Sequence, residues 1–150
     1  MNDRTSRGTG PAEQLRAVGL RVTAPRVATL DWLSGHPHST ADQVADGVRA
    51  RLGSVSTQAV YDVLHVCAAH GLLRRIEPAG HPARYETRTA DQHHHVVCRV
   101  CGRTEDVDHV VGADPCLDLP DASGFVVDAS EVVFWGLCPT CTDVKDSVDA

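Results

Sequence analysis

"TQAVYDVLHVCAAHGLL", residues 57–73, is the most regular helical stretch in the chain, and what flanks it decides the fold. Val60, Val63, Leu64 and Cys67 recur at i, i+3, i+4 and i+7, which is one face of a helix. Ser56 is a natural cap before it and Gly71 a natural stop after it. The opposite face carries Thr57, Gln58, Tyr61 and Asp62 at the N-terminal end. Downstream, "LLRRIEP" and "ARYETR" predict two short strands around the turn "EPAGHPA". Upstream, Thr23 can cap a helix that Pro25 opens, with Val27, Leu30 and Leu33 (Trp32 beside them) on its apolar face and "SGHPHS" ending it. Ser39 or Thr40 then caps "TADQVADGVRARL", with Val44 and Val48 inward. Three helices followed by a hairpin is the winged helix-turn-helix order, in which the last helix reads DNA. Residues 1–11 and the final "DVKDSVDA" are expected to be loose.

From residue 95 the pattern changes to strands: "HVVCRV", "RTEDVDHVV" and the long segment "GFVVDASEVVFWGLC", with a short helix expected in "GADPCLDLPDASG". The fold class is therefore α+β, a winged-helix module over residues 1–88 followed by a small β-rich module over 89–150. Charge divides along the same line. Residues 1–88 hold eleven Lys+Arg against eight acids, and residues 89–150 hold three against twelve. A basic half joined to an acidic half suggests two modules with different partners, although +3 alone is only mild support for phosphate binding. The N-terminal "MNDRTSRGTGPAEQ" has no apolar signal-peptide core, and no run is long enough for a membrane helix. A cytosolic location is expected, where paired cysteines are more often metal ligands than disulfides.

Cys98-x-x-Cys101 and Cys138-x-x-Cys141, in "CRVCG" and "LCPTC", suit tetrahedral thiolate coordination of a structural zinc that leaves no open position for chemistry. A thioredoxin-like redox pair is the alternative, against which Cys98 lies between strands and opens no helix. Cys67 reads as core, and Cys116 is unassigned, with a redox role open to it. In "HHHVVC", residues 93–98, alternate residues of an extended segment share a face, so His93 and His95 point one way and His94 the other. His95 is too close to Cys98 to join its zinc from the same strand. The histidines therefore predict a second site, without thiolate, whose nearest carboxylates are Asp106 and Glu86. Such a site suits Fe(II), Mn(II) or zinc at an exchangeable centre, and a solvated edge of histidines is the plainer alternative.

Taken in order, "AVGLRVTAPR", "HPHSTADQV", "VSTQAVYDVLHVCAAHGLL", "ARYE", "HHHVVCRVCG" and "LCPTC" resemble the ferric uptake regulator family along roughly residues 12–142. The resemblance implies a homodimer without membrane or organic substrate, whose second module is the dimerisation domain and whose partner is a palindromic double-stranded DNA operator. It implies one structural zinc per subunit on Cys98, Cys101, Cys138 and Cys141. It also implies one regulatory Fe2+ or Mn2+ per subunit on His38, Glu86, His93, His95 and Asp106, a site that zinc can occupy in purified protein. Arg21 matches the family's minor-groove basic residue and Tyr61 its base-contacting aromatic, with Ser56, Thr57 and Gln58 at the start of the reading helix. The chain departs from the pattern in several places. "HPHST" offers two histidines, and the register favours His38 over His36. One extra residue separates Glu86 from His93. Gln92 and Ser130 stand where a second sensory site has histidines, for which His94 with Glu131 or Asp108 is a candidate substitute. Asp62 replaces the basic or amide residue expected after Tyr61.

An all N/O site with Asp at the position of Asp106 is what the family's peroxide sensors use. "RYETR", "HHHVVCRVCG" and "VFWGLCPTC" also resemble the actinobacterial branch that governs catalase-peroxidase. The expectation is a repressor of catalase-type oxidative-stress genes that senses peroxide or redox state. Iron, zinc or nickel homeostasis is the alternative within the family. Outside it, a metal-dependent hydrolase with Glu105 as base lacks a nucleophile motif or phosphate loop, and a zinc-ribbon adaptor has no need of a reading helix.

Overall fold

The computed structural model describes residues 9–108, 123–127 and 131–148. Cys116, Ser130 and most of the segment expected to hold a short helix lie outside these residues. The chain divides into two compact units: Met1–Ile76 with Ala83–Thr89, and Glu77–Pro82 with Ala90–Ala150.

The first unit opens with helix α1, Pro11–Ala17, which the sequence reading missed; Pro11 starts it and Leu15 is its buried contact. Helix α2, Ala24–Gly35, is capped by Thr23, whose side chain accepts from the Arg26 amide. The two-residue strand β1, Ser39–Thr40, leads into α3, Ala41–Leu52. Thr40, not Ser39, caps α3, in a reciprocal capping box with Gln43. Gly47 on α3 lies under Trp32, and a Cβ there would sit 2.1 Å from the indole Nε1. Helix α4, Thr57–Ala69, is capped by Ser56 and buries Val60, Val63, Leu64 and Cys67, the face its periodicity predicts. Strands β2, Arg74–Ile76, and β3, Arg84–Glu86, form the expected hairpin, and β1 adds to it in the order β1-β3-β2. The core is the convergence of Leu15, Leu30, Leu33, Val44, Val48, Val60, Leu64 and Leu73, all at most 3% exposed. This is a winged helix with an extra leading helix and an extra strand.

In the second unit β4, His94–Cys98, is the central strand. It pairs antiparallel with β5, Thr104–Val107, and parallel with β6, Val133–Gly136. Helix α5, Pro139–Val148, follows. It corrects the expectation that "DVKDSVDA" is loose: the helix runs on from Pro139, a residue suited to a first turn. The long strand expected in "GFVVDASEVVFWGLC" is likewise reduced. Among the described residues only β6 is strand, and Phe125, Val126 and Val127 stand exposed outside any sheet. The turn Glu77–Pro82 belongs to this unit, with the His81 ring 6.4 Å from that of Trp135 and its Nε2 3.2 Å from the Arg99 carbonyl. Among the described residues no helix is long and apolar enough to cross a membrane.

Candidate metal centres and nucleic-acid interface

Cys98 ends β4, and the turn after it is closed by the Gly102 amide donating to the Cys98 carbonyl at 2.9 Å. Gly102 has φ of 73°, a left-handed position that glycine takes without steric cost. The register Cys98↔Gly136 brings the end of β6 alongside, so the chain reaches Cys138 two residues later and opens α5 there. The Thr142 amide and hydroxyl both donate to the Cys138 carbonyl, at 2.9 and 3.0 Å, which fixes that first turn and Cys141 within it. One ligand atom from each of Cys98, Cys101, Cys138 and Cys141 lies within 4.8 Å of all the others, with Cys101 and Cys138 Sγ 3.7 Å apart.

Backbone N–H groups of Cys101 and then Cys138 are aimed at the Cys98 sulfur and hold its thiol at about 6. Its neighbour Cys141 is pushed up to about 12, first by its hydrogen bond to the Cys138 thiol, then by burial and the remaining sulfurs. Donors collected on one sulfur, and four sulfurs too close to share negative charge unaided, fit a soft divalent cation. The second pair does open a helix, the placement a redox dithiol would want. With the first pair at the same point, however, the arrangement is a four-thiol cluster.

Three residues back along β4 the chemistry changes. His95 pairs with Asp106 across the β4–β5 ladder, and His93 and His95 are 3% and 0% exposed. Both Nε2 atoms approach the same carboxylate oxygen, Asp106 Oδ1, at 3.2 Å from His93 and 3.4 Å from His95. Their outer nitrogens face other acids: His93 Nδ1 lies 3.4 Å from Asp91 Oδ1, and His95 Nδ1 lies 3.1 Å from Glu131 Oε1. A carboxylate on Nδ1 fixes that nitrogen as the N–H donor and turns the Nε2 lone pair inward, the pattern of metal-bound imidazole. Two lone pairs and a carboxylate oxygen then converge, which fits a cation between them. This second cluster contains no sulfur.

Asp91 and Glu131 are the site residues that sequence reading missed in these roles. Asp91 stands two residues before His93 in "DQHHH", which was the available signal. Glu131 was considered for His94, but the structure gives it to His95, while His94 Nδ1 accepts the Val132 amide at 3.2 Å. That corrects the substitute site built on His94 and Glu131.

In the winged-helix unit His38 precedes β1, and the pairing Ser39↔Tyr85 sets it beside Glu86. His38 Nε2 lies 3.0 Å from Glu86 Oε2, with the two side chains 8% and 1% exposed. His38 has φ of 60°, a conformation costing about 1 kcal/mol or more outside glycine, and Arg84 donates to its carbonyl at 2.9 Å. His36, the other histidine of "HPHST", is exposed, stacks on Trp32 at 4.1 Å between centroids and has Nδ1 2.8 Å from the Trp32 carbonyl.

The exposed side of α4 carries Thr57, Gln58, Tyr61 and Asp62, with Tyr61 43% exposed. Ser56 Oγ accepts from the Ala59 amide at 3.1 Å, so its hydroxyl is engaged as the cap. Arg49 donates to Thr57 Oγ1 at 2.6 Å, to the Val55 carbonyl at 3.1 Å and to Asp46 at 2.9 Å. Arg21 is exposed just before α2, and its carbonyl accepts from Arg26 at 2.7 Å.

A profile of the Ferric uptake regulator family matches residues 17–128. The chain is 54% identical over 131 residues to "Transcriptional regulator FurA" of Mycobacterium tuberculosis, spanning 87% of this chain and 89% of that one. It is 30% identical over 132 residues to the "Peroxide operon regulator" of Bacillus subtilis, spanning 87% and 90%. Among solved structures, the Francisella tularensis ferric uptake regulator with iron superposes with a TM-score of 0.68 at 21% identity, covering 83% of this chain and 96% of that one.

Proposed function

The chain belongs to the ferric uptake regulator family and is a metal-dependent transcriptional regulator, not an enzyme; we propose that it is a homodimeric repressor that leaves its operator under peroxide or redox stress. In this reading Cys98, Cys101, Cys138 and Cys141 hold one structural zinc per subunit. His38, Glu86, His93, His95 and Asp106 hold one Fe2+ or Mn2+ per subunit. A state that ligates the metal better is populated more, so metal binding shifts the protein toward its DNA-binding state. Asp91 and Glu131 keep the two imidazoles oriented for this. A ferrous ion held by the ligating side chains would supply reducing equivalents to peroxide next to the imidazoles of His38 and His93. Tyr61 contacts bases and Arg21 the backbone or minor groove of a palindromic operator, with Ser56, Thr57 and Gln58 at the head of the reading helix.

The observation that carries the proposal is the sulfur-free cluster, two buried imidazoles converging on one Asp106 oxygen. The test is operator binding by gel shift with ferrous or manganous protein, before and after peroxide. Release of the ferrous form alone supports it. A second reading, simple iron response, is favoured by the 50% identity to "Ferric uptake regulation protein 1" of Mycolicibacterium fortuitum, against 30% to the peroxide regulator. Under that reading ferrous protein keeps its operator through peroxide treatment and loses it only when iron is withdrawn.

A further inference from the structure

We propose that Asp62 is a positioning residue for sequence choice: it holds the Gln58 amide in one orientation, and Gln58 so held reads adenine in the major groove. The inference rests on the DNA-binding reading above. Gln58 Nε2 donates to Asp62 Oδ1 at 2.9 Å, an i,i+4 pair on one face of α4. An ionised carboxylate only accepts, so the flipped amide would set Gln58 Oε1 against another acceptor. Asp62 thereby decides which end of the amide faces it. Gln58 keeps a second amide N–H and its carbonyl oxygen, side by side. That donor–acceptor pair matches the adenine edge, where N7 accepts and N6 donates. It mismatches guanine, whose N7 and O6 both accept and would also meet the carboxylate of Asp62.

Two features favour this over an ordinary surface pair. Thr57, Gln58, Tyr61 and Asp62 form one exposed side of α4, while Val60, Val63 and Leu64 lock the other side into the core. The approach to α4 is also fixed from behind, since Arg49 holds both the Thr57 hydroxyl and the Val55 carbonyl. Side chains already oriented lose less freedom on contact, which is what base discrimination requires. A carboxylate on a DNA-facing helix weakens attraction to phosphate, and selectivity at one base is the compensating gain.

The test is selection of a randomised duplex library by the full chain loaded with Mn(II), followed by sequencing. Wild type should enrich adenine over guanine at one position per half-site, by about 5- to 150-fold if Gln58 makes one bidentate contact. Asp62→Ala should reduce that preference to within about twofold and bind random duplex more tightly, with the other positions unchanged. Gln58→Ala should flatten the same position. Asp62→Asn, whose amide can accept from Gln58 in one orientation and donate to it in the other, should give an adenine preference between those of wild type and Asp62→Ala. Full retention of the preference in Asp62→Ala or in Asp62→Asn, or a different position altered by Gln58→Ala, would each overturn the proposal. A wild-type chain that selects no sequence at all overturns the DNA-binding reading, and this inference with it.

Discussion

Strand β4 carries two clusters of opposite character, three residues apart. At its end Cys98 joins three other thiols in a set that is all sulfur, closed and rich in backbone donors. At its start His95, with His93 just before the strand, converges on a carboxylate oxygen, and no sulfur takes part. A site of four thiolates suits a cation that stays, because every position is filled and exchange requires breaking the fold. Imidazole and carboxylate suit a borderline or harder ion that can come and go. Pleating keeps the two apart despite their closeness in sequence, since successive side chains leave a strand on opposite faces.

Loss of the four-thiol cluster should have the greatest consequence. Structural zinc contributes on the order of 10 kcal/mol in small metal-stabilised domains, comparable with the whole stability of a typical domain. Cys98→Ser or Cys138→Ser should therefore lose tightly bound zinc together with the dimer and the cooperative unfolding transition. Zinc analysis with sedimentation and calorimetry checks this, and a zinc-free dimer that unfolds cooperatively would refute it.

The next effect lies on the open side. His93→Ala should keep one tight zinc per subunit while losing the gain in operator affinity that Mn(II) confers, about 5- to 150-fold for an ordinary allosteric coupling. Unchanged metal-activated affinity in a titration would remove the histidine cluster from the switch. Asp91→Ala should act in the same direction but more weakly, lowering Mn(II) affinity about 10- to 100-fold by freeing the His93 ring.

How far the sequence disclosed these features follows from which forces set them. Helix α4, its Ser56 cap and its buried face are local, and their periodicity is visible in one stretch of chain. The four thiols are also legible, since spacing and softness restrict what such pairs do. Helix α1 hides because its one buried side chain, Leu15, leaves no periodic signal. Strand β1 exists only because Tyr85 and Arg84 arrive to pair with Ser39 and Thr40. Helix α5 is polar along most of its length, and its first turn is fixed at Cys138, so it reads as loose chain. Asp91 and Glu131 acquire their roles only when folding brings them to the outer nitrogens of His93 and His95.

Smaller effects are expected at the DNA face. Tyr61→Ala should lower the ratio of specific to random binding. Arg21→Ala should weaken binding to all sequences alike and reduce the salt slope by about 1. Salt titrations on operator and random duplex separate the two, and equal losses on both duplexes for both variants would contradict the assignment.

In the proposed function, sensing belongs to the sulfur-free cluster while the thiols only hold the fold. Mass spectrometry of peroxide-treated protein tests it most directly, comparing ferrous with manganous samples of the zinc-loaded dimer. One added oxygen is expected on His38 or His93 in the ferrous sample alone, with the four cysteines unmodified and operator release in step with that modification. Oxidation confined to cysteines, with equal release from the manganous form, would contradict it.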